Sequence, residues 1–274
     1  MHAPGHSRAR RWGLPLLGAA LAVAAVLTVA VLRPWGAPDA APVVAVAEGE
    51  APAAASAPPA PLVVEEGARV LVFGDSWVYG SAANVPTLGF AYVLADRLGV
   101  ETVVDGVRGS GYLKPGIDGP SYGERIAALD PALDPDLIIV EGSINDRRLY
   151  PDGYRDAVTA AWDALNARYP DADIVILGPA PQVLPVEDAT RRIDADLSAF
   201  AAARGWWYIS PIAEDWITEA NYLDVIDTGP IGRDHPSTGG HAYLADRVAA
   251  AIERIEQQPA VVADAPREGD GADR

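Results

Sequence analysis

A run of four apolar residues, from Val70 to Phe73, leads directly into Gly74-Asp75-Ser76. Three of the four are β-branched or aromatic, which is typical of a strand buried on both faces of a parallel sheet. Gly74 lets the backbone turn sharply at the carboxyl end of this strand, the end at which open α/β sheets bind ligands. Ser76 is therefore a candidate nucleophile if a base lies nearby, although Gly-Asp-Ser is also a common turn sequence.

Between residues 67 and 258, strand-like and helix-like segments alternate. Apolar runs predict strands at 69–73, 101–104, 137–140, 173–177 and 206–209. Helical spacing and capping residues predict helices at 88–98, 121–129, 154–169, 187–204 and 238–255. This alternation favours an α/β fold with a parallel five-stranded sheet and helices on both faces. Right-handed crossovers then bring the carboxyl ends of all five strands to one edge, where we look for functional residues.

The chain has 274 residues, a formal net charge of −17 and no cysteine. The absence of cysteine excludes a disulfide framework, a thiol nucleophile and a cysteine-ligated metal. A strongly negative surface repels phosphate backbones, so we expect no nucleic acid partner. The sequence leaves the oligomeric state open.

Residues 14–32 form a 19-residue run without a charged side chain, which is just long enough to span a bilayer as a helix. Arg8, Arg10 and Arg11 precede the run, so we expect the amino terminus to stay in the cytoplasm. A cleaved signal peptide usually has a shorter apolar region with a small-residue cleavage site close behind it. We therefore predict an uncleaved, single-pass membrane anchor with the catalytic domain outside the cytoplasm; the alternative is secretion after signal cleavage.

The remaining segments outside the alternating region differ in composition from it. Residues 1–33 are interpreted as a cytoplasmic stub with the anchor, and residues 34–66 as an Ala/Pro-rich linker that packs poorly. Residues 67–258 are predicted to form the globular domain. Residues 259–274 are predicted to be a disordered acidic tail.

Four of the loops at the predicted sheet edge contain residue types that a serine hydrolase needs. His235 lies just before the last helix and is a candidate base for the Ser76 hydroxyl. Backbone N–H groups of Ser76 and Gly109, together with the Asn145 amide, are candidate oxyanion donors. Gly111 is an alternative to Gly109, because both belong to the glycine-rich stretch after the second strand.

These residues make the chain resemble the SGNH (GDSL-type) hydrolase family. That family has Gly-Asp-Ser in its first block, a glycine in its second, Gly-x-Asn-Asp in its third and Asp-x-x-His in its last. Here the matching positions are Gly74-Asp75-Ser76, Gly109, Asn145-Asp146 and His235, in the same order and within about residues 68–250. The resemblance implies a flavodoxin-like, three-layer α/β/α sandwich. It also implies ester hydrolysis through an acyl-serine, with no metal or other cofactor.

The sequence departs from the family pattern at two positions. Ser143 stands where the third block has its glycine. Gly232 stands three residues before His235, where the family has the aspartate that orients the histidine. We predict that the neighbouring Asp234 takes this orienting role; the alternative is that a backbone carbonyl orients His235, giving a catalytic dyad.

The expected function is that of an extracytoplasmic serine esterase acting on short acyl esters, such as O-acetyl groups on carbohydrates. Its partner would then be a small acyl ester or an acylated glycan. Two alternatives are an O-acyltransferase that uses the same residues on glycans and a catalytically silent carbohydrate-binding protein of the same fold. Lys114, Arg147 and Arg148 lie on loops of the same edge and are interpreted either as solvated charges or as contacts to an anionic substrate.

Overall fold

A parallel five-stranded sheet forms the centre of the domain, in the strand order β2-β1-β3-β4-β5. Its strands are β1 Arg69–Gly74, β2 Glu101–Gly106, β3 Leu137–Glu141, β4 Asp173–Leu177 and β5 Trp207–Ile209. The computed structural model describes residues 58–258. The predicted anchor at 14–32, most of the predicted linker and the predicted tail at 259–274 lie outside the described residues.

Seven α-helices accompany the sheet within residues 58–258. They are α1 Ser76–Tyr79, α2 Phe90–Leu98, α3 Tyr122–Ala128, α4 Tyr154–Arg168, α5 Asp188–Ala203, α6 Tyr222–Val225 and α7 Thr238–Glu256. Helix α3 begins with the predicted capping box, in which Ser121 and Glu124 each bond the other's backbone. Helix α7 is capped by Ser237, whose side chain accepts a hydrogen bond from the Gly240 N–H.

The helices cover both faces of the sheet and produce two buried apolar layers. On one face, Val72 of β1 belongs to the same buried cluster as Leu94 of α2 and Val248 of α7. On the other face, Ile138 of β3 clusters with Trp162 of α4 and with residues of α3 and α5. The predicted three-layer α/β/α architecture with a parallel five-stranded sheet is therefore confirmed.

The folded domain begins before residue 67, the boundary expected from composition. Leu62 is only 1% exposed and belongs to the apolar cluster that contains α2 and α7. The Val64 N–H donates to Glu256 Oε1 at 2.8 Å, and the Trp207 indole donates to the Ala60 carbonyl at 2.9 Å. The last residues of the predicted linker thus pack against the domain, because the Leu62 side chain is buried in this apolar cluster.

No helix between residues 58 and 258 combines the length and the apolar character needed to cross a membrane.

A two-stranded antiparallel ribbon, absent from the predicted elements, completes the carboxyl-end edge of the sheet. It consists of β6 Ile226–Asp227 and β7 His235–Pro236, with Asp227 opposite His235. The ribbon carries His235 back to the end of β1, where the short helix α1 begins at Ser76. Strand β1 and its neighbours thus determine where Ser76 lies, and the ribbon determines where His235 lies.

Candidate active site

The turn after β1 holds Ser76 at the first position of α1. Gly74 is required here because a Cβ atom at this position would lie 2.5 Å from Val78 Cγ2 and 2.6 Å from Glu141 Oε2. Asp75 caps α1, and its Oδ1 accepts a hydrogen bond from the Trp77 N–H at 2.9 Å. The Ser76 side chain is thereby fixed on a short, buried turn rather than on a mobile loop.

Ser76 and His235 form a hydrogen-bonded pair. The distance from Ser76 Oγ to His235 Nε2 is 2.9 Å, although the two residues are 159 positions apart in the chain. A nucleophile and a base at this separation can exchange a proton directly. The structure therefore brings together the two side chains that the sequence predicts to be the nucleophile and the base.

The other ring nitrogen of His235 faces two backbone carbonyls. Nδ1 lies 2.9 Å from the Gly232 carbonyl oxygen and 3.0 Å from that of Arg233. A carbonyl oxygen only accepts, so Nδ1 carries the proton and Nε2 is left as an acceptor for the serine hydroxyl. This is the tautomer that a general base for Ser76 requires.

The predicted contact between Asp234 and His235 is not formed. Asp234 donates its backbone N–H to the Asp227 carbonyl, and the hydrogen bonds of the His235 ring go to Ser76, Gly232 and Arg233. Arg233 and Asp234 both have positive φ values, 52° and 63°, and this left-handed stretch turns the two carbonyls toward the imidazole. The alternative stated from the sequence, a dyad oriented by backbone carbonyls, is the arrangement that the structure has.

Gly232 has a packing role in the same loop. A Cβ atom on Gly232 would lie 2.2 Å from Asp227 Cγ, so no larger residue fits unless Asp227 moves. The Asp227 carboxylate accepts the Gly229 N–H at 2.8 Å and so closes the loop between β6 and β7. Every residue has a backbone carbonyl, so the sequence does not reveal which carbonyls orient His235. The one indication is Gly232, which stands where the family has an aspartate.

The geometry favours Gly109 over Gly111 as an oxyanion donor. Gly109 lines the cleft beside Ser76, has φ +75° and makes no backbone hydrogen bond through its N–H within the described residues. The Gly111 N–H donates to the Lys114 carbonyl at 2.9 Å, and a Cβ there would lie 2.4 Å from Asp146 Oδ1. Gly111 therefore serves the packing of the loop, and Gly109, whose N–H has no acceptor among the described residues, is the better oxyanion candidate.

Asn145 lines the same cleft but already has two acceptors. Its Nδ2 donates to Asp75 Oδ2 at 2.7 Å and to the Ser110 carbonyl at 3.0 Å. Both partners accept only, so they fix the orientation of the amide with its NH₂ group toward them. Asn145 can donate to an oxyanion only by sharing one of these two hydrogens.

A second buried carboxyl group lies next to the Ser76 turn, and the sequence pattern does not single it out. Glu141, at the end of β3, accepts the Asp75 N–H at 3.3 Å, and both residues are almost fully buried. Burial raises the pKa of Asp75 to about 6, against the opposing effects of the Trp77 N–H and the nearby His235. Burial, and then repulsion from Asp75, holds the pKa of Glu141 well above its usual range.

Asp146 anchors the loop that follows Gly111. Its carboxylate accepts the backbone N–H groups of Tyr112, Leu113 and Lys114 at 2.7 to 3.1 Å. Ser143, the residue that replaces the expected glycine, donates its hydroxyl to the same carboxylate at 2.5 Å. Ser143, where the chain differs from the family pattern, thus stabilises the position of the Asp146 carboxylate. Asn145, which lies between these two residues in the sequence, still lines the cleft.

The pair of Ser76 and His235 opens into a cleft of about 730 Å³. The oxyanion candidates Gly109 and Asn145 lie in the wall of this cleft. No group of three or more His, Asp or Glu side chains within residues 58–258 is arranged to hold a metal ion. The arrangement suits nucleophilic attack by a serine on a carbonyl carbon beside preorganised N–H donors.

A sequence profile described as the GDSL-like lipase/acylhydrolase family matches residues 72–243. The chain belongs to this family. The matched region includes Ser76, Asn145 and His235, so the SGNH (GDSL-type) resemblance inferred from the motifs is confirmed. As a GDSL-like acylhydrolase, the protein is a carboxylic ester hydrolase.

The GDSL lipase Rv0518 of Mycobacterium tuberculosis (strain ATCC 25618 / H37Rv) is similar to this chain, with 31% identity over 198 residues. The similarity covers 67% of this chain and 80% of that protein. The aligned length of 198 residues is far greater than the four short motifs together.

Solved structures share the fold at lower identity. A putative lipolytic protein of the G-D-S-L family from Desulfitobacterium hafniense has a TM-score of 0.55 and 16% identity, covering 67% of this chain and 99% of that chain. A family two carbohydrate esterase from Clostridium thermocellum, solved in complex with cellohexaose, has a TM-score of 0.53 and 17% identity. That match covers 70% of this chain and 66% of the esterase chain. These likenesses agree with the α/β/α architecture of the GDSL-like domain.

Proposed function

We propose that this GDSL-like hydrolase cleaves short acyl esters of carbohydrates, O-acetyl groups in particular, through an acyl-Ser76 intermediate. The observation that carries the mechanism is the 2.9 Å contact between Ser76 Oγ and His235 Nε2 at the wall of an open cleft. A catalytically silent binding protein would have no need of this pair or of the tautomer that the two carbonyls impose on His235.

In the first half of the proposed reaction, Ser76 Oγ attacks the ester carbonyl carbon and His235 Nε2 takes the hydroxyl proton. The negative charge on the carbonyl oxygen is stabilised by the N–H groups of Ser76 and Gly109 and by a shared hydrogen of Asn145. The imidazolium is stabilised at Nδ1 by the carbonyls of Gly232 and Arg233. The nearby Asp75 carboxylate adds a favourable charge interaction.

In the second half, the bond to the alcohol oxygen breaks and His235 donates its proton to that oxygen. A water molecule then takes the place of the alcohol, and His235 accepts a proton from it as it attacks the acyl carbon. As the second tetrahedral intermediate collapses, His235 returns this proton to Ser76 Oγ, the carboxylic acid is released and Ser76 is again a hydroxyl. An acyltransferase would follow the same path with a sugar hydroxyl in place of water.

The proposal of a carbohydrate substrate rests on the cleft and on likeness of fold. A cleft of about 730 Å³ is much larger than an acetyl group, so most of it is available to the alcohol portion of the ester. The fold is shared with a carbohydrate esterase that was solved with cellohexaose. An enzyme for acylated glycans fits both observations.

We also propose that residues 14–32 anchor the protein in the membrane with the hydrolase domain outside the cytoplasm. The 19-residue uncharged run and the preceding arginines support this placement. The expected result is that the full-length protein stays in the membrane pellet after an alkaline wash. Release of a shortened soluble form would contradict the anchor and support signal cleavage.

The enzymatic proposal is tested with full-length protein in a nonionic detergent. A fluorophosphonate probe is expected to modify Ser76 alone, and acetate release from an acetylated oligosaccharide is expected to stop after modification. Product analysis with an added sugar acceptor separates hydrolysis from acyl transfer. A folded protein that neither reacts with the probe nor releases acetate would refute the esterase proposal and favour the binding protein.

A further inference from the structure

We infer that the alcohol portion of the ester carries a negative charge, which the cationic side chains of the catalytic cleft recognise. These side chains are Arg108, Lys114, Arg147, Arg148 and Arg233, and we refer to them as the cationic rim. The inference rests on the proposed function, because it concerns the substrate of the same site. It adds the chemical class of the alcohol, a carboxylate- or phosphate-bearing glycan.

The charge of the cleft is opposite to that of the chain. The full sequence contains 38 acidic and 21 basic residues, with a net charge of −17. The cleft nevertheless has five basic side chains and no acidic one among its 20 lining residues. Like charges gathered in one cleft repel each other in the free protein, and an anion in the cleft relieves that repulsion.

Only two members of the cationic rim have an acidic partner among the described residues. Arg108 pairs with Asp118 at 2.6 Å, and Arg147 pairs with Glu187 at 2.7 Å. Within residues 58–258, Lys114, Arg148 and Arg233 form no ion pair, and all three are exposed. Their charges are therefore available to a ligand.

Two of the unpaired basic residues, Lys114 and Arg233, have backbone groups that are hydrogen-bonded to residues of the candidate active site. The Lys114 N–H donates to Asp146 Oδ1 at 3.1 Å, on the loop whose backbone Asp146 anchors. The Arg233 carbonyl lies 3.0 Å from His235 Nδ1, so the backbone of this arginine is part of the arrangement that orients the base. A bound anion would thus lie at a defined position relative to the ester carbonyl.

The size of the cleft places the charge on the alcohol rather than on the acyl group. A short acyl group next to Ser76 fills a small part of about 730 Å³, and the rim belongs to the remaining wall. Three exposed apolar side chains, Ile117, Leu149 and Ile231, lie in the same wall. An anionic sugar, with apolar ring faces and a charged substituent, matches this mixture of cations and apolar surface.

The test compares two acetate esters of closely similar shape, 4-acetoxybenzoate and its neutral methyl ester, with full-length protein in a nonionic detergent. The variant is the double substitution Lys114→Gln and Arg148→Gln, which removes two exposed, unpaired charges. It is expected to lower kcat/KM for the anionic ester by about tenfold and to leave that for the neutral ester within about twofold. Rising salt is expected to reduce the wild-type kcat/KM for the anionic ester only.

Arg97→Gln is the matched control, because Arg97 is partly exposed and pairs with Asp246 on α7, away from the cleft. It removes a positive charge without touching the cationic rim, and both esters should be cleaved as by the wild type. O-acetylated polygalacturonate, an acetylated neutral mannan and an acetyl ester of a sugar phosphate then distinguish a carboxylate from a phosphate as the natural anion.

An equal effect of the double substitution on both aryl esters, or none on either, would overturn the inference while leaving the esterase intact. Failure of the wild type to cleave either ester would contradict the proposed function itself, and the inference with it. The neutral ester thus separates the two failures.

Discussion

The Nδ1 atom of His235 lies 2.9 Å from the carbonyl oxygen of Gly232, at the position where the SGNH pattern has an aspartate. A neutral carbonyl can fix the tautomer of the ring as well as a carboxylate can, since either one accepts the Nδ1 proton. It supplies less stabilisation to the imidazolium because it carries no full charge. The buried Asp75 carboxylate also interacts electrostatically with His235.

Asp234→Asn is expected to leave kcat/KM for a short-chain ester within about threefold of the wild type, because the Asp234 side chain does not contact the imidazole. A triad aspartate would show a far larger loss, on the order of 10⁴-fold in kcat. Steady-state kinetics at neutral pH distinguishes the two. Asn tolerates the left-handed φ of 63° at this position, so the substitution tests the carboxylate and not the backbone.

Asn145→Ala is expected to lower kcat by about 10²-fold with little change in KM, because we propose that the amide stabilises the oxyanion. The substitution also leaves Asp75 Oδ2 without its 2.7 Å partner, so thermal unfolding should be recorded for the same sample. Asn166→Ala, on the exposed face of α4, is the control and should behave as the wild type. A change confined to KM would show that Asn145 binds substrate and does not stabilise the oxyanion.

Glu141→Gln is expected to make the domain more stable at pH 7.5 by on the order of 1–3 kcal/mol and to change little at pH 4. The pKa values of Glu141 and Asp75 are raised in the folded state, so the unfolded chain releases these protons first as the pH rises. Their joint contribution to stability therefore falls with increasing pH, from about pH 4 through the folded pKa of about 6 for Asp75. The glutamine keeps an oxygen for the Asp75 N–H and removes the charge.

This prediction is checked by urea denaturation of the wild type and the variant at both pH values. Glu101→Gln, an exposed glutamate at the start of β2, is the matched control and should show no such pH-dependent gain. Equal stability of Glu141→Gln and the wild type at pH 7.5 would mean that burial of this carboxyl group costs nothing.

Asp146→Asn is expected to destabilise the domain by about 2–4 kcal/mol, since three backbone N–H groups and the Ser143 hydroxyl converge on its two oxygens. Asparagine offers one accepting oxygen and turns an NH₂ group toward the remaining donors. The midpoint of chemical denaturation reports the change. Asp118→Asn, which removes only an exposed ion pair with Arg108, should leave the denaturation midpoint close to that of the wild type.

The sheet and its helices could be predicted because each element carries its own local pattern. Runs such as Leu137 to Val140 and the capping box at Ser121 and Glu124 depend on neighbouring residues alone. The ribbon of β6 and β7 could not be predicted in the same way, because strands of two residues are too short to show periodicity. The burial of Leu62 was likewise hidden by the Ala/Pro-rich sequence around it.

The proximity of Ser76 and His235 could be expected from the sequence, because few side-chain types can act as a nucleophile and a base and these two lie in the expected motifs. The orientation of His235 was not, since it depends on the φ values of Arg233 and Asp234 and on carbonyls that every residue possesses. The buried Glu141 gave no signal beyond its place at the end of an apolar strand. The charge of the cleft arises from separate loops whose proximity only the folded structure reveals.

The most direct test measures turnover of a neutral short-chain ester by the wild type and by Ser76→Ala and His235→Ala, each at full length and each shown to be folded. The direct bond between the two side chains predicts that each substitution lowers kcat by at least about 10³-fold. The double variant should be no worse than either single variant, because the residues act as one unit. Retention of more than a tenth of wild-type kcat in Ser76→Ala would contradict the assignment of Ser76 as the nucleophile.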